Sequence, residues 1–479
     1  MLVTALVVLG AVTNVAAAQA RLDRTKQPVA GAAPATRIPT WTKVKLANGA
    51  ELAVSVKRDL PLVTFSMAIV GGATTFEPAD KLGVASFTAQ MLSEGTKTKS
   101  ADDFSNAQQV LGISINAGIG TESGTIGFTA LKDRFDGALA LTADMLLNPT
   151  FPADALERIR GRTVVNLQQA KDQPNAIANE VFVKVTYGES HPYGRVTNEQ
   201  TVKAITRDDV LRFHGEYFKP GRTVITVVGD VDPVKVKASV EKAFADWAAG
   251  GERPKFDYPT PPALKSRAIY LVDKPKAAQS VFALGHPGPT RYTDDYFALQ
   301  VMNTLLGGLF QSRLNHNIRE EKGYSYGVGS GFSYGRGPGA FRASGGIVTG
   351  KSDSALIEFM KELKGVQGAI PFTDDELTQG KESLIQSLPQ TFSSVNGIRG
   401  AISGVYVQDL PEDYYRQYAA KVNAVTREDL VRVANKYINL DMMNLIIVGD
   451  RAAIEDALRK TGIAPVIVTG PDGKPVITP

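Results

Sequence analysis

Two separated stretches of the chain carry the same alternation of apolar runs and polar breaks. In ELAVSVKRDLPLVTFSMAIVGG, residues 51–72, two apolar runs flank the charged break Lys57–Asp59. RAIYLVDKPKAAQSVFALGHPG, residues 267–288, repeats that arrangement around Lys274–Lys276. Short apolar runs bounded by charged or Pro-containing breaks predict two strands around a turn. Each pair is followed by small and apolar residues at three- and four-residue spacing, which predicts a helix.

The repetition extends further along the chain. Residues 204–230, AITRDDVLRFHGEYFKPGRTVITVVGD, align without gaps on 424–450, AVTREDLVRVANKYINLDMMNLIIVGD, with nine identities at an offset of 220. Thr206 and Thr426 stand where an N-cap is expected, before an acidic first turn, a helix reaching Tyr217 or Tyr437, a turn and an apolar strand. A unit written twice predicts two homologous domains, each an antiparallel-rich sheet packed with helices, an α+β architecture. The Pro/Gly-rich run 248–266 reads as the linker, placing the domains at 41–247 and 267–465. Residues 21–40 are expected to form an extended arm and 466–479 a tail.

Residues 1–20, MLVTALVVLGAVTNVAAAQA, are uncharged, apolar from Leu2 to Val12, and end in a small-x-small site before Arg21. This pattern predicts a cleaved secretory signal and a periplasmic location, with a retained membrane anchor as the alternative. Thr13, Asn14 and Gln19 interrupt a segment already short for a span of about 20 apolar residues, so no stable membrane span is expected. The chain has no cysteine, so packing alone must hold the fold. A net charge of +4 without a dense Lys/Arg block gives no reason to expect a nucleic-acid partner.

The candidate chemistry begins in GVASFTAQMLSEGT, residues 83–96. Its periodicity predicts a helix that buries Val84, Phe87, Met91 and Leu92 and brings Ser86, Ala89 and Gln90 together at i, i+3 and i+4. Zinc proteases of the inverted type carry His-x-x-Glu-His at that spacing, two imidazoles for the metal and a carboxylate to take a proton from bound water. Ser, Ala and Gln supply neither ligand nor base, so no zinc site is expected in this chain. His191, His214, His286 and His316 are scattered without ligand spacing and read as structural or surface residues.

The stretch nevertheless resembles the metal-binding helix of the M16 peptidases, the pitrilysin and mitochondrial processing peptidase family. That family's pattern is Gly-x-x-His-x-x-Glu-His-Met-Leu-x-x-Gly-Thr, and Gly83, Met91, Leu92, Gly95 and Thr96 match its frame. The resemblance takes in nearly the whole mature chain, including the duplication, HPYGR at 191–195 and SRLNHNIREEKGYSYGV at 312–328. It implies an M16-type two-domain fold and a third zinc ligand, a Glu, some 75 to 80 residues beyond the helix. The window there, VVNLQQ at 164–169, holds no carboxylate.

The same resemblance assigns a role to Arg319 and Tyr326, which match a family Arg/Tyr pair seven residues apart. In that family the pair reaches a zinc site, binds substrate backbone and stabilises the developing oxyanion. A guanidinium offers fixed donors, and a phenol offers one O–H that strengthens as negative charge builds. Read locally, Arg319 could simply pair with Glu320 or Glu321. A helix end near Gly323 and strand alternation place Tyr324 and Tyr326 on one face, with Tyr324 mainly structural.

The resulting expectation is a noncatalytic subunit, inactive alone, in a heterodimer with a partner carrying His-x-x-Glu-His and the zinc. It would close a peptide chamber and supply Arg319 and Tyr326 in trans to bind peptide or unfolded substrate. The alternative is a peptide-binding or scaffold protein of the same fold with no peptidase role. The glycine-rich run GVGSGFSYGRGPGAFRASGG has no nucleotide fingerprint and reads as twisted hairpins or close backbone approach to a peptide.

Overall fold

The computed structural model describes residues 36–476. The signal-like segment 1–20 and most of the 21–40 arm lie outside the described residues. Twelve strands build two six-stranded sheets. The first holds β1 (Thr42–Lys45), β2 (Glu51–Val56), β3 (Leu62–Val70), β4 (Asn116–Ile119), β5 (Ser123–Leu131) and β6 (Thr223–Gly229) in the order β1-β2-β6-β3-β5-β4. The second holds β7 (Ala268–Asp273), β8 (Gln279–Pro287), β9 (Ser325–Phe332), β10 (Ala340–Val348), β11 (Asn444–Gly449) and β12 (Val466–Thr469) in the order β12-β7-β11-β8-β10-β9. Most neighbours are antiparallel; β2 with β6, and β7 with β11 and β12, are parallel.

The predicted strand pairs exist, but their members are not neighbours. Strand β6 lies between β2 and β3, and β11 lies between β7 and β8. Every residue of β6 and of β11 is buried. A strand apolar on both faces belongs in the middle of a covered sheet, so it separates two strands that are adjacent in sequence. At the chain's end, Val466–Thr469 is not tail but an edge strand, parallel to β7.

The repeat persists in atomic detail. Asp209 N–H donates to Thr206 Oγ1 at 3.2 Å and the Asp209 carboxylate accepts from Thr206 N–H at 2.8 Å. Thr426 and Asp429 form the same reciprocal cap. Each closes two otherwise unpaired donors of a helix start.

Each half also lends the other a helix. The Pro174–Tyr187 helix of the first half sets Ile177, Val181 and Phe182 against Val272, Ala283, Ile446 and Val448 of the second sheet. In return the Val395–Val407 helix packs Ile398, Ile402 and Val405 against Ala53, Val224 and Val228 of the first. Each sheet's other face has a core made from its own half. The 248–266 linker, without regular structure, is docked between these parts: Arg253 pairs with Asp409 and Glu51, and the Tyr258 ring lies 5.0 Å from that of Tyr193. Among the described residues no helix is long and apolar enough to cross a membrane.

Candidate functional site

The Val84–Met91 helix starts at Gly83, whose φ of +103° suits glycine. No side chain of the N-cap residue satisfies the first turn; the Glu77 carboxylate does, accepting from Gly83 N–H at 3.0 Å and Ala85 N–H at 2.8 Å. Burial raises the Glu77 acid above its ordinary range, against the pull of those two amides. Val84, Phe87, Met91 and Leu92 are buried as their spacing requires. Ser86 is exposed, Gln90 half-buried and Ala89 buried.

On that outward face Gln90 Nε2 donates to Ser86 Oγ at 3.1 Å. Its Oε1 accepts from Arg162, on the Ala153–Ala170 helix, at 2.7 Å. The residues do not fit zinc. The amide oxygen of Gln90 is turned toward a guanidinium, and a fixed cation opposes a second one in the same place. Among the described residues no group of three or more His, Cys, Asp or Glu is arranged to hold a metal.

The histidines are spent elsewhere. His191 Nδ1 accepts from Tyr193 N–H at 3.0 Å and its Nε2 bonds Pro259 O at 2.9 Å. His214 bonds Leu146 O, His286 bonds Pro287 O and Asn439 N–H, and His316 faces Glu321 on the surface. Burial lowers the pKa of His191, His214 and His286.

Ser86 also borders a cleft of about 640 Å³ between the two halves, with Glu77, Glu122, Tyr193, Arg195 and Tyr334 among its walls. Glu122, in the β4–β5 turn, accepts the Tyr193 hydroxyl and the Arg336 amide at 2.9 Å, while Gly337 N–H donates to the Tyr193 oxygen at 3.0 Å. Burial first, and the hydrogen bond to Glu122 second, push the Tyr193 phenol up, so it remains a donor. Glu77, Glu122 and Arg162 escaped sequence reasoning. Each is a charged residue in no recognisable motif, whose partner is brought by a different element. Only HPYGR, which contains Tyr193, gave a signal near this group.

Arg319 and Tyr326 do not line the cleft. Arg319 lies in a π-helical turn, His316–Glu321, pairs with Glu320 at 3.0 Å and lies over the Phe310 ring at 4.5 Å. Gly323, with φ +64°, closes that turn as its position suggests. Tyr324 and Tyr326, expected on one face, are separated in environment. Tyr324 packs on the second core, whereas Tyr326 is 83% exposed.

The reason is a β-bulge. Ser325 pairs with Ile347 and Val328 with Gly345, so Tyr326 and Gly327 together oppose the single residue Gly346. Ser325 Oγ ties the bulge, donating to Gly346 O at 2.7 Å and accepting from Gly327 N–H at 2.9 Å. An extra residue breaks the alternation and re-aims the side chain.

Comparison with known proteins agrees with the two-domain fold. Residues 54–197 match the family described as insulinase (peptidase family M16), and residues 204–384 match the domain described as peptidase M16 inactive domain. An uncharacterized zinc protease of Bacillus subtilis is 28% identical over 329 residues, covering 68% of this chain and 78% of that protein. The crystal structure of a peptidase M16 inactive domain from Pseudomonas fluorescens superposes with a TM-score of 0.79 at 26% identity, over 85% of this chain and 98% of that one. A protease from Helicobacter pylori shares the fold, with a TM-score of 0.76 at 20% identity, over 86% and 99% of the two chains. The chain belongs to the M16 peptidase family.

Proposed function

We propose that this chain is the noncatalytic subunit of a heteromeric zinc peptidase, periplasmic and inactive alone. A partner carrying His-x-x-Glu-His holds the zinc; this chain closes the peptide chamber and offers Arg319 and Tyr326 in trans. The observation that carries the reading is Tyr326: a phenol held 83% exposed on a tied bulge of an edge strand, with none of its ring spent on the core. Rearranging Arg319 away from Glu320 exchanges one exposed ion pair, which is worth little, for a carbonyl of the substrate.

In a preorganised site one oxyanion donor is worth about 2.7–4 kcal/mol, so a subunit without metal can be indispensable. Substrates are peptides or unfolded segments, because addition of an extended strand to a sheet edge needs a free backbone and tolerates many sequences. The edge strand β4, beside the Val84–Met91 helix, offers such an edge.

The test mixes this chain with an M16 partner carrying His-x-x-Glu-His and assays an unstructured peptide with and without chelator. Chelator should abolish hydrolysis, and Tyr326→Phe and Arg319→Ala should each lower kcat by roughly 10²–10³-fold with the complex intact. Full activity from the partner alone, or unchanged activity in both variants, defeats the reading. The Arg319–Glu320 pair favours a second reading, a peptide-binding scaffold with no peptidase role, and unchanged activity is the result it requires.

A further inference from the structure

Beside the outward face of the Val84–Met91 helix, the Ala153–Ala170 helix sets an exposed guanidinium that no carboxylate among the described residues neutralises. Among the described residues Arg162 has no ion-pair partner; its one hydrogen bond goes to the neutral Gln90 amide. The carboxylate that borders the same hollow, Glu94, is taken by Arg158. A guanidinium has five donors, so most of its fork remains available.

The surroundings say what it faces. Arg162, Gln90, Asn116 and Ala117 border one hollow of about 270 Å³, at the start of β4. The other end of β4 leads into the larger cleft, where Ile119 and Gly120 stand beside Ser86. Strand β4 is the free edge of its sheet, and a Cβ placed on Gly118 would meet nothing within 4 Å. A peptide can therefore extend the sheet along β4, with one end in the cleft and the other at Arg162.

Charge fixes its direction. An added strand antiparallel to β4 places its C-terminal end beside Asn116 and Arg162; a parallel one brings its N-terminal end there, where an ammonium would meet the guanidinium. We infer that the altered helix face is a receptor for the C-terminal carboxylate of an extended peptide, lying antiparallel on β4, with Arg162 as the carboxylate-binding residue. Gln90 is a positioning residue, holding one side of the fork while the remaining N–H groups face the ligand. Fork-to-carboxylate bonds are the strong, charge-assisted kind. A ligand with a new C-terminus is what peptide-bond hydrolysis produces, but the site needs no partner subunit and stands or falls apart from the trans-site reading.

The test uses the full chain alone. Fluorescence anisotropy would follow an N-terminally labelled, unstructured octapeptide of Ser, Thr and Val as the free acid, as the C-terminal amide, and as an amide ending in Glu. The free acid should bind roughly tenfold more tightly than either amide, a preference that high salt weakens. Arg162→Ala should erase the preference with Tm unchanged, and Arg162→Lys should restore only part of it.

Because the chain has no cysteine, Asn116→Cys can carry the only thiol-linked spin label. A second label on the peptide should then lie closer when placed at the C-terminal residue than at the N-terminal one. Equal binding of acid and amide, no binding of either up to millimolar peptide, equal binding of the Glu-ended amide, a preference that survives Arg162→Ala, or the reverse label order would each overturn the proposal.

Discussion

The two edge strands β4 and β9 occupy equivalent places in sheets that share the order of five strands, β2-β6-β3-β5-β4 and β7-β11-β8-β10-β9, yet they are finished differently. Strand β4 is a short open edge beside the Val84–Met91 helix, with Gly118 leaving its approach clear. Strand β9 is eight residues long and bulged, and it turns Tyr326 outward. One edge has a backbone to offer, the other a side chain. The two halves repeat much of one sheet, and a difference in edge length together with one bulge residue gives them different surfaces.

The comparison holds only if the halves form one body, and the sharpest way to break it is to separate them. Expressed as two fragments cut within 248–266, neither half should fold, because each sheet would expose an apolar face that the other half's helix covers. Co-expression should restore the far-UV and near-UV circular dichroism of the intact chain. Point substitutions test each direction of the exchange. Phe182→Ala should cost about 3–5 kcal/mol and Ile402→Ala about 2–5 kcal/mol in denaturant unfolding. A large loss in one and none in the other would show that only one exchanged helix is needed.

A smaller effect is expected at the helix start beside the cleft. Glu77→Ala leaves the amides of Gly83 and Ala85 without their acceptor and should cost about 1–3 kcal/mol, whereas Glu77→Gln keeps one acceptor oxygen and should cost less. Equal losses would mean that the negative charge, not the hydrogen bonds, sets the helix start.

Acid should weaken both halves with the same sign. Burial raises Asp209, but Thr206 and Lys81 outweigh it and hold its pKa at about 2. Asp295 reaches about 2 the same way, through Lys436, Arg432 and Tyr437. With folded values below the ordinary 3.8, the unfolded chain binds these protons more readily. Their stabilisation is present above about pH 4 and is lost as pH falls through about 2. Asp209→Asn should flatten its share of a Tm-against-pH curve; an unchanged slope would remove Asp209 from the account.

The smallest contrast lies at the twin tyrosines. Tyr217 donates its buried hydroxyl to Gly71 O at 2.8 Å, and Tyr217→Phe should cost about 0.5–1.5 kcal/mol. Tyr437 bonds Asp295, which keeps Arg432 and Lys436 when the phenol is lost. Tyr437→Phe should therefore cost less, read by the same unfolding curves.

Local pattern determined much of this molecule. Thr206 and Thr426 announce their caps because a cap is made within four residues. The helix carrying Ser86, Ala89 and Gln90 follows from spacing, and the missing ligand chemistry follows from residue types alone. Family resemblance was legible for the same reason, since its frame is a run of neighbours. The tertiary structure decided the rest. Insertion of β6 between β2 and β3 and exchange of the Pro174–Tyr187 and Val395–Val407 helices depend on which apolar faces meet, and apolar attraction is non-directional. The bulge at Tyr326 arises from pairing with β10, which alternation along β9 cannot reveal. Arg162 meets Gln90, and Glu122 meets Tyr193, across 72 and 71 residues of chain. Their charges could be read from the sequence; their partners became defined only when separate elements were brought within hydrogen-bonding distance, because such bonds act over a few ångströms and carry no mark of sequence separation.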